Sequence, residues 1–276
     1  MPELPEVEAV ARALRPFVRG QTICCCRVIH SIAVRPGSGR GAKGAAELLV
    51  RAVRGARVRT VNRRGKYLVL ILDRGAIVMH FRLDGHLLWF DSRKISGHVD
   101  VALEFPRGTL GFADRRHFGR IQWIQSPEEI PGIRRLGLEP FSKHFTSRAL
   151  GEKLRTSRLP LKLFLLDQSK IAGLGNIYSS EAMWLARLDP RRRAYSISAS
   201  EARRLHKAIV RVLRRALECC LHPAPDFRDA DWWFQGLERI LNVYDREGKS
   251  CRRCRQPIRR TEQGGRSTYF CAGCQE

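Results

Sequence analysis

The sequence predicts an α+β protein: a short amino-terminal helix, an antiparallel β sandwich or barrel, a helical region, and a metal-stapled β hairpin at the carboxyl end. Three observations lead there. Val7, Val10, Ala11, Leu14 and Val18 recur at helical spacing within residues 6 to 18. From residue 58 to about 125 the pattern changes to short β-rich runs broken by turn signals. Near the end stand two cysteine pairs, Cys251-x2-Cys254 and Cys271-x2-Cys274, at metal-knuckle spacing.

In chain order, Pro5 suits the first turn of the helix, because its missing N–H has no partner there in any case. The strand runs at residues 67–72, 76–81 and 99–105 are divided by Asp73-Arg74-Gly75 and Pro106-Arg107-Gly108. Residues 126–141 (SPEEIPGIRRLGLEPF) hold three prolines, and strand patterns vanish beyond them until the cysteines, which places a domain boundary there. Two apolar segments between 161 and 185 flank Ile171-Ala172-Gly173-Leu174-Gly175-Asn176-Ile177-Tyr178. Glycines at 173 and 175 permit positive φ, so backbone N–H groups could converge on a phosphate; taken alone, the pattern favours a plain helix-turn-helix. Ser198 and Glu201 form a capping-box pattern ahead of Leu205, Ile209, Val212, Leu213, Ala216 and Leu217, predicting a helix over about 199–221. Its opposite face is basic. The sixteen residues between the cysteine pairs contain Gly264-Gly265, as a hairpin needs, and are too poor in apolar side chains to fold without a metal. Four thiolates suit one Zn2+; two structural disulfides are the alternative.

Composition narrows the function. Lys and Arg number 51 against 27 Asp and Glu, a net charge of +24, with a pI near 10.8. Such a chain binds polyanions by releasing their counterions, and nucleic acid is the first candidate. With no apolar run of about 18 residues and no secretory pattern, nucleic acid is favoured over a membrane as partner, no membrane contact is expected, and the expected location is intracellular. A length of 276 residues, 43% hydrophobic, suggests about two domains. Cys24, Cys25, Cys26, Cys219 and Cys220 remain outside the metal set; an odd number with adjacent members fits a reducing compartment, and all five read as small buried hydrophobes.

The amino end carries the chemistry. Methionine before a small residue is normally removed, which leaves Pro2 as a secondary amine. With a pKa of roughly 7.7 to 8.0, an α-amine is partly unprotonated at neutral pH and can attack an aldehydic carbon, forming an iminium that draws electrons for elimination. Glu3 and Glu6 beside it could supply a proton donor and an orienting acceptor; a negative first turn that complements the helix dipole is the alternative.

The opening MPELPEVE, RRGKYL around Lys66, DRRHFG at 114–119, LLDQSKIAGLGNIYSSE at 165–181 and the final CxxC…GRSTYFCxxC occur together, in order, over nearly the whole chain. Together they resemble formamidopyrimidine-DNA glycosylase. The resemblance implies a catalytic helix-plus-β-sandwich domain (1–130), a linker (131–145), a helix-two-turn-helix DNA-binding domain (146–245) and a zinc finger (246–276), with DNA in the cleft between the two main domains. It implies a monomeric bacterial cytosolic enzyme acting on damaged double-stranded DNA, excising oxidised purines and cleaving the abasic site by β,δ-elimination, with one structural Zn2+ on Cys251, Cys254, Cys271 and Cys274. Pro2 would be the nucleophile, Glu3 the general acid, Glu6 its support, and Lys66, on a strand, would reach the same site. Leu83, where the family usually has methionine, with Arg116 and Phe118, would fill the gap left by a flipped nucleotide. Lys162, Asn176 and Arg266 would grip phosphates. Residues 221–236 (LHPAPDFRDADWWFQG) depart from the family's glycine-rich loop, which leaves lesion preference open. The alternatives are an endonuclease VIII-like glycosylase for oxidised pyrimidines and a damage-binding protein with idle catalytic groups.

Overall fold

Helix α1 (Leu4–Val18) starts with Glu3 as its N-cap and Pro5 in its first turn. Its apolar face, with Leu4, Val7, Val10, Leu14 and Val18 all fully buried, is the stripe that the spacing predicts. Polar contacts fix the helix on the first strand of the neighbouring sheet: Arg15 donates to the Val61 carbonyl at 2.7 Å, and the buried Arg63 donates to the Glu8 carboxylate at 2.9 Å. Burial raises the Glu8 pKa, but the guanidinium groups of Arg63 and Arg12 outweigh it and hold the carboxyl below its ordinary value.

The structure is a computed structural model that describes residues 1–35, 42–222, 226–229, 232 and 236–276. The chain divides into two compact units, Met1–Arg134 with Cys220–Gln235, and Arg135–Cys219 with Gly236–Glu276. In the first unit β1 (Cys25–Val28) and α2 (Ala42–Val53) precede β2 (Val58–Arg64), β3 (Tyr67–Leu72), β4 (Ala76–His80), β5 (His86–Phe90), β6 (Val101–Phe105), β7 (Gly108–Ala113) and β8 (Arg120–Ile124). They form two four-stranded antiparallel sheets, β1-β6-β7-β5 and β2-β3-β4-β8, so the strands make a sandwich and not a closed barrel. Every residue of β6 and β7 is buried, whereas β2 leaves one side partly open. The proline-rich segment ends in the short helix α3 (Pro131–Arg134), which sends Ile133 into a cluster with Val69, Val78 and Ile124. Phe227 returns to this unit, its ring 5.9 Å from Phe17 and its carbonyl accepting the Trp89 N–H at 3.2 Å.

The second unit is helical. It contains α4 (Ser147–Arg155), α5 (Leu161–Leu166), α6 (Asn176–Ala186), α7 (Ala199–Leu221) and α8 (Leu237–Ile240), then the hairpin β9 (Arg259–Gln263) and β10 (Arg266–Phe270). The capping box before α7 is present: Ser198 N–H donates to the Glu201 carboxylate at 2.8 Å, and Glu201 N–H returns to Ser198 Oγ at 3.3 Å. Gln168 braces the turn between α5 and α6, its amide donating to the Leu174 carbonyl at 2.7 Å while its oxygen accepts Gly173 N–H at 2.9 Å. Buried Glu181 accepts the N–H groups of Asn242, Val243 and Tyr244 at 2.8–2.9 Å, anchoring the segment that leads into the hairpin.

Three local expectations need correction. Lys66 lies in the tight β2–β3 turn, not on a strand, because the strands pair Arg64 with Tyr67 and leave only Gly65 and Lys66 to reverse the chain. Cys24 is exposed and Cys25 half-buried, with Cys26 buried; successive strand residues alternate faces, so three adjacent cysteines cannot all point inward. Gly173 has φ +85, but Gly175 is extended at φ −134 as the N-cap of α6, so one left-handed glycine suffices for the turn.

Candidate functional site

Pro2, Glu3 and Glu6 are all buried at the start of α1. Glu3 N–H donates to Glu6 Oε2 at 2.7 Å, so the Glu6 carboxylate fixes the backbone one residue from Pro2. Met1 is 40% exposed, open to removal from outside. The helix N-terminus adds positive potential where an anion can be held. Lys66 is 7% exposed, and its charge is felt at His80. Burial first, then Arg82 and Lys66, push the His80 imidazole down to about 3, so it is neutral at physiological pH. His80 Nδ1 accepts the Arg82 N–H at 3.0 Å, which leaves the proton on Nε2. His80 shares a cavity with Arg35, Tyr67, Arg82, Phe118 and Arg120. Three guanidinium groups and two aromatic rings suit a phosphate and a base, yet Arg35 and Arg120 had no sequence signal because their spacing follows no local period.

Leu83 and Phe118 are 41% and 44% exposed, so neither belongs to the core. Asp84, next to Leu83, pairs with Arg116 at 3.2 Å, and the Arg116 guanidinium lies over the Phe118 ring at 5.1 Å. That ion pair brings the Leu83 loop beside the DRRHFG loop. Asp114 is the loop's organiser: fully buried, it accepts the N–H groups of Arg116 at 2.9 Å and of Gly119, an Asx-type turn legible in the Asp114…Gly119 spacing. A Cβ on Gly119 would lie 2.8 Å from Phe112, so only glycine closes that turn.

In the second unit the three expected phosphate contacts separate. Lys162 is fully buried: Nζ donates to the Asn176 carbonyl at 2.9 Å, Ser179 Oγ at 2.9 Å and Ser180 Oγ at 2.7 Å. An ammonium has three donors and these acceptors take them, so Lys162 holds the first turn of α6 and does not reach a phosphate. Its charge nonetheless adds to the positive end of α6. Asn176 opens that helix, and its Nδ2 donates to the Ser267 carbonyl at 2.9 Å, tying α6 to β10. Arg266 begins β10 and is exposed, opposite Gln263 across a Gly264-Gly265 turn. Gly264 has φ +59, and a Cβ there would meet Leu163 of α5 at 2.8 Å.

The Sγ atoms of Cys251, Cys254, Cys271 and Cys274 lie within 4.8 Å of one another, and none forms a disulfide. A tetrahedral zinc with Zn–S bonds of about 2.3 Å needs sulfurs about 3.8 Å apart; Cys251 and Cys274 are at 3.9 Å and Cys254 and Cys271 at 3.3 Å, so the four residues fit one structural Zn2+. Burial raises the Cys251 pKa, but the N–H groups of Cys254 and Arg253 and the Trp184 indole outweigh it and hold the thiol near 6. Trp184 of α6 joins Val243, Ile258 and Tyr269 around the cysteines, giving the hairpin a small core of its own. Of the aromatic stretch at 232–234, Trp232 is buried with its ring 5.8 Å from Phe227; Trp233 and Phe234 lie outside the described residues.

Family models describe three successive parts of this chain: the formamidopyrimidine-DNA glycosylase N-terminal domain over residues 1–121, its H2TH domain over 136–221, and the zinc finger found in FPG and IleRS over 248–276. The chain is 39% identical to the formamidopyrimidine-DNA glycosylase of Acidovorax ebreus, covering 100% of this chain and 99% of that one. It is 35% identical to that of Desulfitobacterium hafniense over 100% of both. Among solved structures, Lactococcus lactis Fpg bound to abasic-site DNA superimposes with a TM-score of 0.87 at 30% identity, over 99% of each chain. The same protein's complex with N7-benzyl-Fapy-dG DNA gives 0.87 at 31%, over 100% of each.

Proposed function

Because this chain belongs to the formamidopyrimidine-DNA glycosylase family, we propose that it excises oxidised purines, 8-oxoguanine and formamidopyrimidines, from duplex DNA in base-excision repair and then cleaves the abasic site. Once Met1 is removed, the Pro2 nitrogen attacks C1′ of the damaged nucleotide. The glycosidic bond breaks, the base leaves with its electron pair and takes up a proton, and Glu3 is the acid for that release. The nitrogen then gives up its proton and O4′ takes one up as the C1′–O4′ bond opens, which leaves an iminium between Pro2 and C1′ and acidifies the neighbouring C–H. Loss of that proton expels the 3′ phosphate, and a second elimination expels the 5′ phosphate. Glu6 holds the Glu3 backbone through the 2.7 Å hydrogen bond, the single observation that carries this reading, since a tethered terminus keeps the amine in attacking position. Lys66, buried in the β2–β3 turn, supplies a cation that helps hold the leaving phosphate.

Leu83, Arg116 and Phe118 fill the gap left by the extruded nucleotide. Arg266 and the first turn of α6, opened by Asn176, bind flanking phosphates, with Lys162 acting on them only through that helix. The protein acts as a monomer in the bacterial cytosol, where its DNA is.

Borohydride trapping on duplexes carrying 8-oxoguanine opposite cytosine, an abasic site or an oxidised pyrimidine tests this reading, once N-terminal mass confirms that Met1 is gone. Covalent complexes on the first two support it. Preferential trapping on the pyrimidine lesion would move the protein to the endonuclease VIII-like reading, and no trapping at all would make it a damage binder. Glu3→Gln is expected to lose base excision more than cleavage at a preformed abasic site; equal losses would remove Glu3 as the acid.

A further inference from the structure

Three histidines from three separate segments converge on one buried carboxylate in the first unit. Asp100, just ahead of β6, is fully buried, and its Oδ2 accepts the Asp114 N–H at 2.7 Å. Its other oxygen, Oδ1, lies 3.2 Å from His30 Nδ1, 3.3 Å from His98 Nε2 and 3.3 Å from His117 Nδ1. The His30 and His98 rings stack at 5.0 Å, and His117 meets them edge-on at 5.8 and 5.7 Å.

These contacts are not hydrogen bonds. Asp100 Oδ1, His98 Nε2 and His117 Nδ1 are buried with no hydrogen-bond partner among the described residues. A charge-assisted bond between imidazolium and carboxylate would bring its atoms to about 2.7–2.9 Å. Ligands around a tetrahedral ion with bonds of about 2.0–2.1 Å stand about 3.3–3.4 Å from one another, which is close to the spacing of His30 Nδ1 and His98 Nε2 from Asp100 Oδ1. A buried carboxylate also requires a compensating charge, and one cation beside Oδ1 satisfies that oxygen and the His30 and His98 nitrogens together.

We propose that His30, His98 and Asp100 form a second metal site, with His117 bracing its carboxylate from outside the ligand set, and that it binds a divalent transition ion of the zinc, cobalt and nickel class. The ligand atoms of His30, His98 and Asp100 lie within 4.8 Å of one another. A donor set of imidazoles and one carboxylate, without thiolate, suits these ions. All three histidines are partly open to solvent, so an ion has a path in. His117 stands between Arg116 and Phe118 with φ +55 and reaches the same Asp100 oxygen at 3.3 Å, so the site lies against the exposed DRRHFG loop and joins the segments that flank β1 and β6. The site stands whether or not Arg116 and Phe118 act as wedges.

Cobalt titration of the full-length, metal-stripped protein separates this site from the cysteine site. Co2+ on four thiolates gives an intense near-ultraviolet charge-transfer band, whereas Co2+ on imidazoles and a carboxylate gives only weak visible absorption. The expected result is a further equivalent of Co2+ beyond the thiolate site, taken up without more charge-transfer intensity. It should vanish in His30→Ala and in His98→Ala while the thiolate band is retained. His30 is half exposed, so His30→Ala should keep the fold. His117→Ala should weaken the second equivalent at least about tenfold. Saturation of the wild type at the thiolate site alone, or a second equivalent untouched by His30→Ala and His98→Ala, would overturn the proposal; affinity unchanged in His117→Ala would remove His117 as the support of the Asp100 ligand.

Discussion

Replacing Lys162 with methionine separates a positioning charge from a phosphate contact. Methionine keeps most of the apolar stem and removes the ammonium, and with it hydrogen bonds to the Asn176 carbonyl, Ser179 Oγ and Ser180 Oγ. Bonds to a charged group contribute about 1.5–3 kcal/mol each, so three would give at most about 5–9 kcal/mol. Two effects reduce that sum. The buried charge itself costs several kcal/mol to desolvate, and no partner is orphaned: Ser179 Oγ still donates to the Gly175 carbonyl at 2.6 Å and Ser180 Oγ to the Asn176 carbonyl at 3.0 Å. A net loss of about 1–3 kcal/mol remains, within the usual span for a single buried substitution. Urea unfolding should show it as a lower midpoint at unchanged slope. DNA affinity should fall, because the positive end of α6 is weakened, but the slope of log affinity against log salt should stay the same, because no phosphate contact is lost. Arg266→Ala is the contrast: an exposed side chain whose loss changes stability by less than about 0.5 kcal/mol and lowers the salt slope by about 0.9, one phosphate's worth. A Lys162→Met protein that keeps its stability and loses about 0.9 of slope would refute the buried assignment.

Phe118→Ala should leave the melting temperature within a degree or two, since the ring is 44% exposed, while excision from duplex DNA falls; a large drop in melting temperature with normal excision would make Phe118 structural. Cys271→Ser removes a fully buried zinc ligand, so metal analysis should show the thiolate site's zinc lost and DNA affinity reduced by about tenfold or more, through misplacement of Arg266 on β10. Undiminished affinity would sever the hairpin from DNA binding. Glu201 is held near 2 chiefly by its hydrogen bond from Arg192. A depressed carboxylate pKa contributes stability that is fully present above the unfolded value near 4.5 and is lost as pH falls through about 2. Glu201→Gln should therefore be less stable than the wild type at pH 7, with the gap closing toward pH 2; a gap independent of pH would show that packing, not charge, carries the effect.

What the sequence determined by itself is whatever depends on neighbours along the chain. Helix α7 spans Ala199–Leu221 because its cap and its period are both local, and the cysteine pairs specify their metal because four ligands at fixed spacing on one hairpin leave little choice of geometry. The motif set from MPELPEVE to the final CxxC likewise carried the family across the whole chain. Tertiary structure decided the rest, because a side chain's surroundings come from residues far away in sequence. Lys162 reads as a surface cation until α6 brings Ser179 and Ser180 to its ammonium. Cys24 reads as buried until strand alternation turns it outward. His30, His98 and His117 share no period, and only the pairing of β1 with β6 and β6 with β7 places all three on the Asp100 carboxylate.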